Sequence, residues 1–272
     1  MVRLYVPVNF TEYSLNAVQY ALNLGQKIPS VLSLIYCRPP INDNSEPLKE
    51  NIEERLIQFS KELEEGFNAQ QKENITLITR VEAGYPEDTL VNISHKEDPD
   101  AIVMGTRSKG DTIKELLGSV TSDVVKNARV PVLAVPAQST IDSNSISNVL
   151  FLSDFDSCDY RSLHKLIRLI SPFKTQVFAA HFKTSPPDKW DKKRLEEMRL
   201  YCQQTYRNYT INFGFITDED FIGGLDSFIN ENRIDLIAMT RHKRNMISKL
   251  LHPSITRKIL FHTDIPLLVF HE

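Results

Sequence analysis

Residues 104–121 gather the parts of an anion site. Gly105 closes the apolar run Ala101-Ile102-Val103-Met104, Gly110 and Gly118 follow, and Ser119 heads a helical pattern through Val124, Val125 and Ala128. A glycine-bearing loop between a buried strand and a helix N-terminus collects unpaired N–H groups, and Ser119 is placed to cap the helix and contact a phosphate. Gly105 and Gly118 can take backbone angles closed to other residues and leave room for a ligand to approach. Over this segment alone, an ordinary strand-to-helix connection without a ligand reads the same way.

Other chemistry finds less support. The seven histidines (His95, His164, His181, His242, His252, His262 and His271) show no metal-ligand spacing with Asp, Glu or Cys. There is no G-x-S-x-G elbow, Walker lysine or kinase motif set, so a bound nucleotide would lack a positioned base and turn over slowly at best. Cys37, Cys158 and Cys202 are odd in number and lack a C-x-x-C pair, which fits a reducing compartment, expected to be the cytoplasm. A net charge of −3 gives no reason to expect nucleic acid or an anionic membrane as partner. No apolar run approaches the roughly 18 residues of a membrane span, and Met-Val-Arg-Leu-Tyr-Val-Pro enters a strand pattern without a signal-peptide layout.

The elements that must position the loop alternate between strand and helix patterns. Strands are expected near 3–9, 30–37, 75–82, 101–105 and 131–135, with helices near 12–27, 48–73, 86–97 and 119–128. The long second helix carries Ile52, Leu56, Phe59, Leu63 and Phe67 as a core-facing stripe, behind a breaker-rich loop at 39–45. The pattern then returns. Leu4–Phe10 is echoed by Val149–Phe155, and Ala101–Arg107 by Leu236–Arg241 with Met239 set against Gly105. Leu116–Thr121 is echoed by Leu250–Thr256, and Val130–Leu133 by Ile265–Leu268, across a polar linker at 137–145. The expected fold is α/β: two doubly wound, five-stranded parallel-sheet domains, 1–138 and 146–272, related by a pseudo-twofold axis. A ligand crevice belongs where the winding reverses, which puts the end of strand 1 (Asn9) beside the loop after strand 4.

The first half resembles the universal stress protein family. Gly105 matches the first glycine of its G-x-x-G-x9-G-S/T motif and Gly118-Ser119 the closing pair after the nine residues 109 to 117, with Ser108 where the middle glycine belongs. Val6-Pro7-Val8-Asn9 looks like V-P-x-D, Gly84-Tyr85-Pro86 like G-x-P, Asp100–Gly105 like D-L-I-V-M-G, and Val130–Val135 like the closing strand. The resemblance implies a regulatory stress-response protein, not an enzyme, that binds ATP or AMP. It carries candidate nucleotide contacts onto Pro7, Val8, Asn9, Cys37, Met104, Gly105, Arg107, Ser108, Gly110, Gly118, Ser119, Val120 and Thr121. Cys37 ends strand 2, where the family's backbone contacts adenine, while its side chain reads as a buried thiol. Members commonly dimerise through their final strands, which in a tandem chain implies an internal pseudo-dimer through Val132–Val135 and Leu267–Phe270, with further dimerisation through another face left open.

The copies diverge. In the first, Asn9 replaces the family's aspartate and lacks the charge of a good magnesium ligand, which puts the metal in doubt. In the second, Asp154 keeps the acid and His181 holds the strand-2 histidine position. Its loop, however, sets Met239 where Gly105 leaves space, so a side chain is expected to project there, and carries His242, Arg244 and Pro253, which do not suit a backbone phosphate cradle. The first half is therefore expected to bind an adenine nucleotide and the second to serve packing and regulation. Two alternatives stay open. One is a tandem stress protein that binds no nucleotide and acts only as a protein-interaction module. The other is an adenylating enzyme, which would need a Ser-Gly-Gly type loop where Asn9-Phe10-Thr11-Glu12 stands.

Overall fold

The computed structural model describes residues 1–40, 51–106, 119–139, 146–241, 256, 259 and 262–271. The chain divides into two compact units, Met1–Ser143 and Asn144–Glu272.

In the first unit the elements run β1 (Val2–Pro7), α1 (Glu12–Gly25), β2 (Ser30–Arg38), α2 (Ile52–Glu65), α3 (Ala69–Asn74), β3 (Ile75–Ala83), α4 (Pro86–Glu97), β4 (Ala101–Thr106), α5 (Ser119–Asn127) and β5 (Val132–Pro136). The strands pair in the order β3-β2-β1-β4-β5, each parallel to its neighbours. Central strands covered on both faces read as apolar runs, and Leu32, Leu34 and Ile35 of β2 are fully buried. The winding reverses at β1, between β2 and β4.

The long helix expected over 48–73 is two helices. Gly66 caps α2, and Asn68 opens α3 with a reciprocal capping box: its side chain accepts from Gln71 N while Gln71 Oε1 accepts from Asn68 N. Satisfying four loose backbone groups at Gly66–Asn68 outweighs one continuous helix. Ile52, Leu56 and Phe67 of the apolar stripe are buried. Residues 41–50, most of the breaker-rich loop, lie outside the described residues.

The second unit repeats the plan with β6 (Asn148–Leu152), α6 (Ser157–Ile170), β7 (Gln176–Lys183), α7 (Lys189–Thr205), β8 (Ile211–Thr217), α8 (Phe221–Asn232), β9 (Leu236–Arg241) and β10 (Leu267–His271), its strands ordered β10-β9-β6-β7-β8. The repetition reaches single backbone angles. Phe10 and Phe155, each the residue after the Asn9/Asp154 position, sit at φ 60° and 55°, and Asp98 and Arg233 close α4 and α8 in the left-handed region at φ 48° and 49°. Left-handed angles at bulky residues are uncommon. Their recurrence in register marks two copies of one design.

Strand registers correct one correspondence read from sequence. Leu4 pairs Ala101 and Tyr5 pairs Ile102, while Val149 pairs Leu236 and Leu150 pairs Ile237. With Leu4 equivalent to Val149, Met104 corresponds to Met239 and Gly105 to Thr240. Met239 therefore does not project into the space at Gly105. It is a core residue in both copies, and the real difference at that position is Gly105 against Thr240.

Candidate functional site

At the switch point of the first unit lies a cavity of about 310 Å³, lined by Pro7, Val8, Asn9, Thr11, Tyr13, Ser14, Ile35, Cys37, Pro86, Met104, Gly105, Thr106, Val120 and Thr121. Eight sequence candidates meet here: Pro7, Val8, Asn9, Cys37, Met104, Gly105, Val120 and Thr121. Arg107, Ser108, Gly110 and Gly118 lie outside the described residues, and Ser119 is described only as the first residue of α5. Thr11, Tyr13, Ser14, Ile35, Pro86 and Thr106 were missed by sequence reading. Thr11 and Ser14 were findable, because a Thr three residues before a Ser at a helix start is a capping pattern. Pro86 was quoted as part of a motif without a place in the site.

The chain leaves β1, turns at left-handed Phe10 and enters α1 under the Thr11 cap, whose Oγ1 accepts from Ser14 N at 3.5 Å. This turn aims Asn9 at the cavity. Asn9 Oδ1 accepts from Thr11 N at 3.2 Å and from Thr11 Oγ1 at 2.7 Å. Ser14 Oγ accepts from Asn9 N at 3.3 Å and donates to Thr11 O at 2.9 Å. On the far wall Thr121 Oγ1 donates to Gly105 O at 2.9 Å, tying α5 to the end of β4. Thr106 Oγ1 is buried and has no hydrogen-bond partner among the described residues.

Gly105 does a different job from the one expected. A Cβ there would stand 2.1 Å from Tyr13 O and 3.0 Å from Ser14 N. The space that glycine frees is filled by the first turn of α1, so Gly105 is required by helix–strand packing. Gly84, at φ 130°, is required by its backbone angle, and its Cβ would also meet Thr89 Oγ1 at 2.5 Å. The Cys37 thiol is pushed up to about 12 by burial, with Glu82 and Glu87 adding repulsion. It is an inert wall residue.

Magnesium prefers carboxylate and water oxygens. No carboxylate is among the described residues lining the cavity, and the one side-chain oxygen at the Asn9 position already accepts two hydrogen bonds. The amide face left over is an NH₂ donor. These residues do not fit a divalent cation.

In the second unit the corresponding positions are built differently. Pairing of β6 with β7 equates Tyr36 with His181 and Cys37 with Phe182, and the N1 residue of α4, Pro86, corresponds to Phe221 of α8. Phe182 and Phe221 are buried with ring centroids 4.9 Å apart, edge to face. His181 Nδ1 stands 2.9 Å from Ser153 O and 3.1 Å from the buried Asp154 Oδ1. Arg241 takes the place of Thr106, and burial lowers its basicity. His242, Arg244 and Pro253 lie outside the described residues. Among the described residues no three His, Cys, Asp or Glu side chains cluster to hold a metal, and no helix is long and apolar enough to cross a membrane.

A parallel sheet wound in both directions from β1, with a cavity beyond the carboxyl ends of β1 and β4 at a helix N-terminus, defines a doubly wound α/β domain, and its strand order recurs in the second unit. The sequence profile of the Universal stress protein family matches residues 1–136 and 223–271, and the chain belongs to that family. A universal stress protein of Methanocaldococcus jannaschii is 31% identical over 144 residues, covering 49% of this chain and 81% of that one. One from Synechocystis is 25% identical over 148 residues, covering 49% and 96%. Among solved structures, a universal stress protein from Archaeoglobus fulgidus matches at TM-score 0.72 and 16% identity over 99% of this chain and 98% of that one. The cytoplasmic domain of a prokaryotic cation chloride cotransporter matches at TM-score 0.58 and 12% identity over 98% and 94%. These two likenesses concern the fold alone.

Proposed function

We propose that the first unit binds an adenine nucleotide in the cavity beyond β1 and β4, that the second unit does not, and that the chain regulates rather than catalyses. The cavity itself carries the reading. Its walls are apolar at the Val8, Ile35, Cys37 and Pro86 end and hydroxyl-rich at the Thr11, Ser14 and Thr121 end, which suits a base at one end and a ribose phosphate at the other. The backbone supports adenine in particular. Ile35 O accepts from Val8 N on the β1 side and Arg38 O accepts from Gly84 N on the β3 side. Strand alternation therefore turns the N–H and C=O of Cys37 toward the β1 side, two residues past Ile35, the last partner of β1 on β2. A donor beside an acceptor complements the N1 and N6 edge of adenine, and guanine presents the opposite order. In the second unit the paired rings of Phe182 and Phe221 stand where that base would lie.

Native mass spectrometry of freshly purified protein and calorimetric titration of the full chain with AMP and ATP test the reading. One nucleotide per chain is expected, lost when Cys37→Phe and Pro86→Phe copy the second unit into the first. Asn9 favours a second reading, an interaction module without nucleotide. Flat titrations with both nucleotides would select it.

A further inference from the structure

The hydrogen-bond inventory of the first unit's cavity is one-sided. Asn9 Oδ1 is spent on both Thr11 donors, Ser14 Oγ on Asn9 N and Thr11 O, and Gly105 O on Thr121 Oγ1. Away from the Cys37 backbone that would meet the base, what remains among the described residues to face the phosphate consists of hydrogens: the Asn9 Nδ2 group, the Thr106 hydroxyl without a partner among those residues, and the N-terminal N–H groups of α5. A surplus of donors with no carboxylate beside them among the described residues complements bare phosphate oxygens and repels a cation.

We propose that this cavity takes its adenine nucleotide free of metal, and that its ligand is accordingly AMP in preference to magnesium-bound ATP. The inference rests on the nucleotide reading given above. A triphosphate chelates magnesium through its outer phosphates, whereas a monophosphate holds it weakly, so AMP is the adenine nucleotide that arrives unchelated when magnesium is plentiful. Asn9 sets the preference. An aspartate there would give the cation a charged ligand and would oppose a bare phosphate.

Calorimetric titration of the full chain with AMP and with ATP, each in EDTA and in excess Mg²⁺, tests it. AMP affinity should be the same in both buffers. ATP should bind in EDTA and weaken by about tenfold or more in Mg²⁺, because the competent free form becomes scarce. Asn9→Asp should reverse the response, with weaker AMP binding in EDTA and a gain for ATP when Mg²⁺ is added. Tighter ATP binding by the native chain in Mg²⁺ would overturn the inference and leave the nucleotide reading intact, as would an Asn9→Asp variant indistinguishable from the native chain. Failure of AMP to bind in either buffer would overturn the nucleotide reading itself.

Discussion

The two units solve one packing problem with opposite choices of residue. Where the last residues of β3 meet α4, the first unit puts the small residue on the loop and the large one on the helix: a Cβ on Gly84 would meet Thr89 Oγ1 at 2.5 Å. The second unit reverses this. Asp218 stands at the loop position, and a Cβ on helical Gly224 would stand 2.7 Å from Asp218 Cβ. Nearby, Cys37 and Pro86 line a cavity, while Phe182 and Phe221 pack against each other. Phe10 is held by α2, with the Arg55 guanidinium 4.0 Å from its ring centroid and Phe59 edge-on at 5.8 Å, whereas Phe155 is held by rings of β7 and β8. The backbone is shared down to its left-handed residues, while at these positions the first unit lines a cavity and the second packs two rings. A duplicated fold can keep its frame while only one half keeps a site.

The strongest way to break the comparison is to exchange the residues that keep it. Gly105→Thr, copying Thr240, forces a Cβ into the Tyr13 carbonyl and should cost about 3 kcal/mol or more, with nucleotide binding lost as α1 moves. Phe182→Ala should cost a similar amount, about 3–5 kcal/mol, because it empties one of two interlocked rings. Urea melts of the full chain read both. A second-unit variant as stable as the native chain would mean that its rings do not pack as an interior.

Gly84→Ala sharpens the loop–helix exchange. It combines a left-handed angle at a non-glycine residue with the Thr89 contact, and about 2 kcal/mol of destabilisation is expected. Adding Thr89→Gly should recover the steric part and leave the angular part. Full recovery would show that the angle relaxes freely.

Thr106→Val has a smaller effect, and its sign separates two roles. A hydroxyl buried without a partner costs stability, so its removal should leave the fold unchanged or slightly firmer. If that hydroxyl is a ligand donor, AMP affinity should fall by roughly fivefold at the same time, about 1 kcal/mol. Unchanged affinity would assign Thr106 to the core alone.

Much of this was legible in the sequence, for identifiable reasons. Strand positions and both copies follow from apolar runs such as Val31–Ile35 and Leu236–Met239, because strands covered on both faces cannot hide their composition. The break at Gly66 was signalled by Gly-Phe-Asn but was overridden by a stripe that continues through Phe67. The Gly105–Met239 misalignment arose because Thr106-Arg107 and Thr240-Arg241 read alike and set the frame, whereas pairing register is fixed by β1 and β6. The wall residues Ile35 and Pro86 come from separate segments, and their convergence depends on the pitch of the sheet, which no local pattern records. Thr106 looked like one more strand residue because an unpartnered hydroxyl is visible only once its surroundings are.

The smallest expected effect concerns acid. Arg80 Nη1 donates to Glu97 Oε2 at 2.8 Å and Arg80 Nη2 to Oε1 at 2.9 Å, and Tyr5 OH donates to the same carboxylate. The hydrogen bonds from Arg80, then from Tyr5, hold Glu97 below the usual carboxylate range. In the second unit the equivalent positions carry Leu150, Gly214 and Asn232, so this titration belongs to the first unit. A depressed carboxylate contributes stability that is present above its unfolded pKa of about 4.3 and is lost as pH falls through the lower folded value. Glu97 is 39% exposed, so solvent screening limits the contribution to a few tenths of a kcal/mol. Urea midpoints of the native chain and of Glu97→Gln should therefore differ slightly at neutral pH and converge in acid. A difference that widened as the pH fell would mean that the pair opposes folding instead of assisting it.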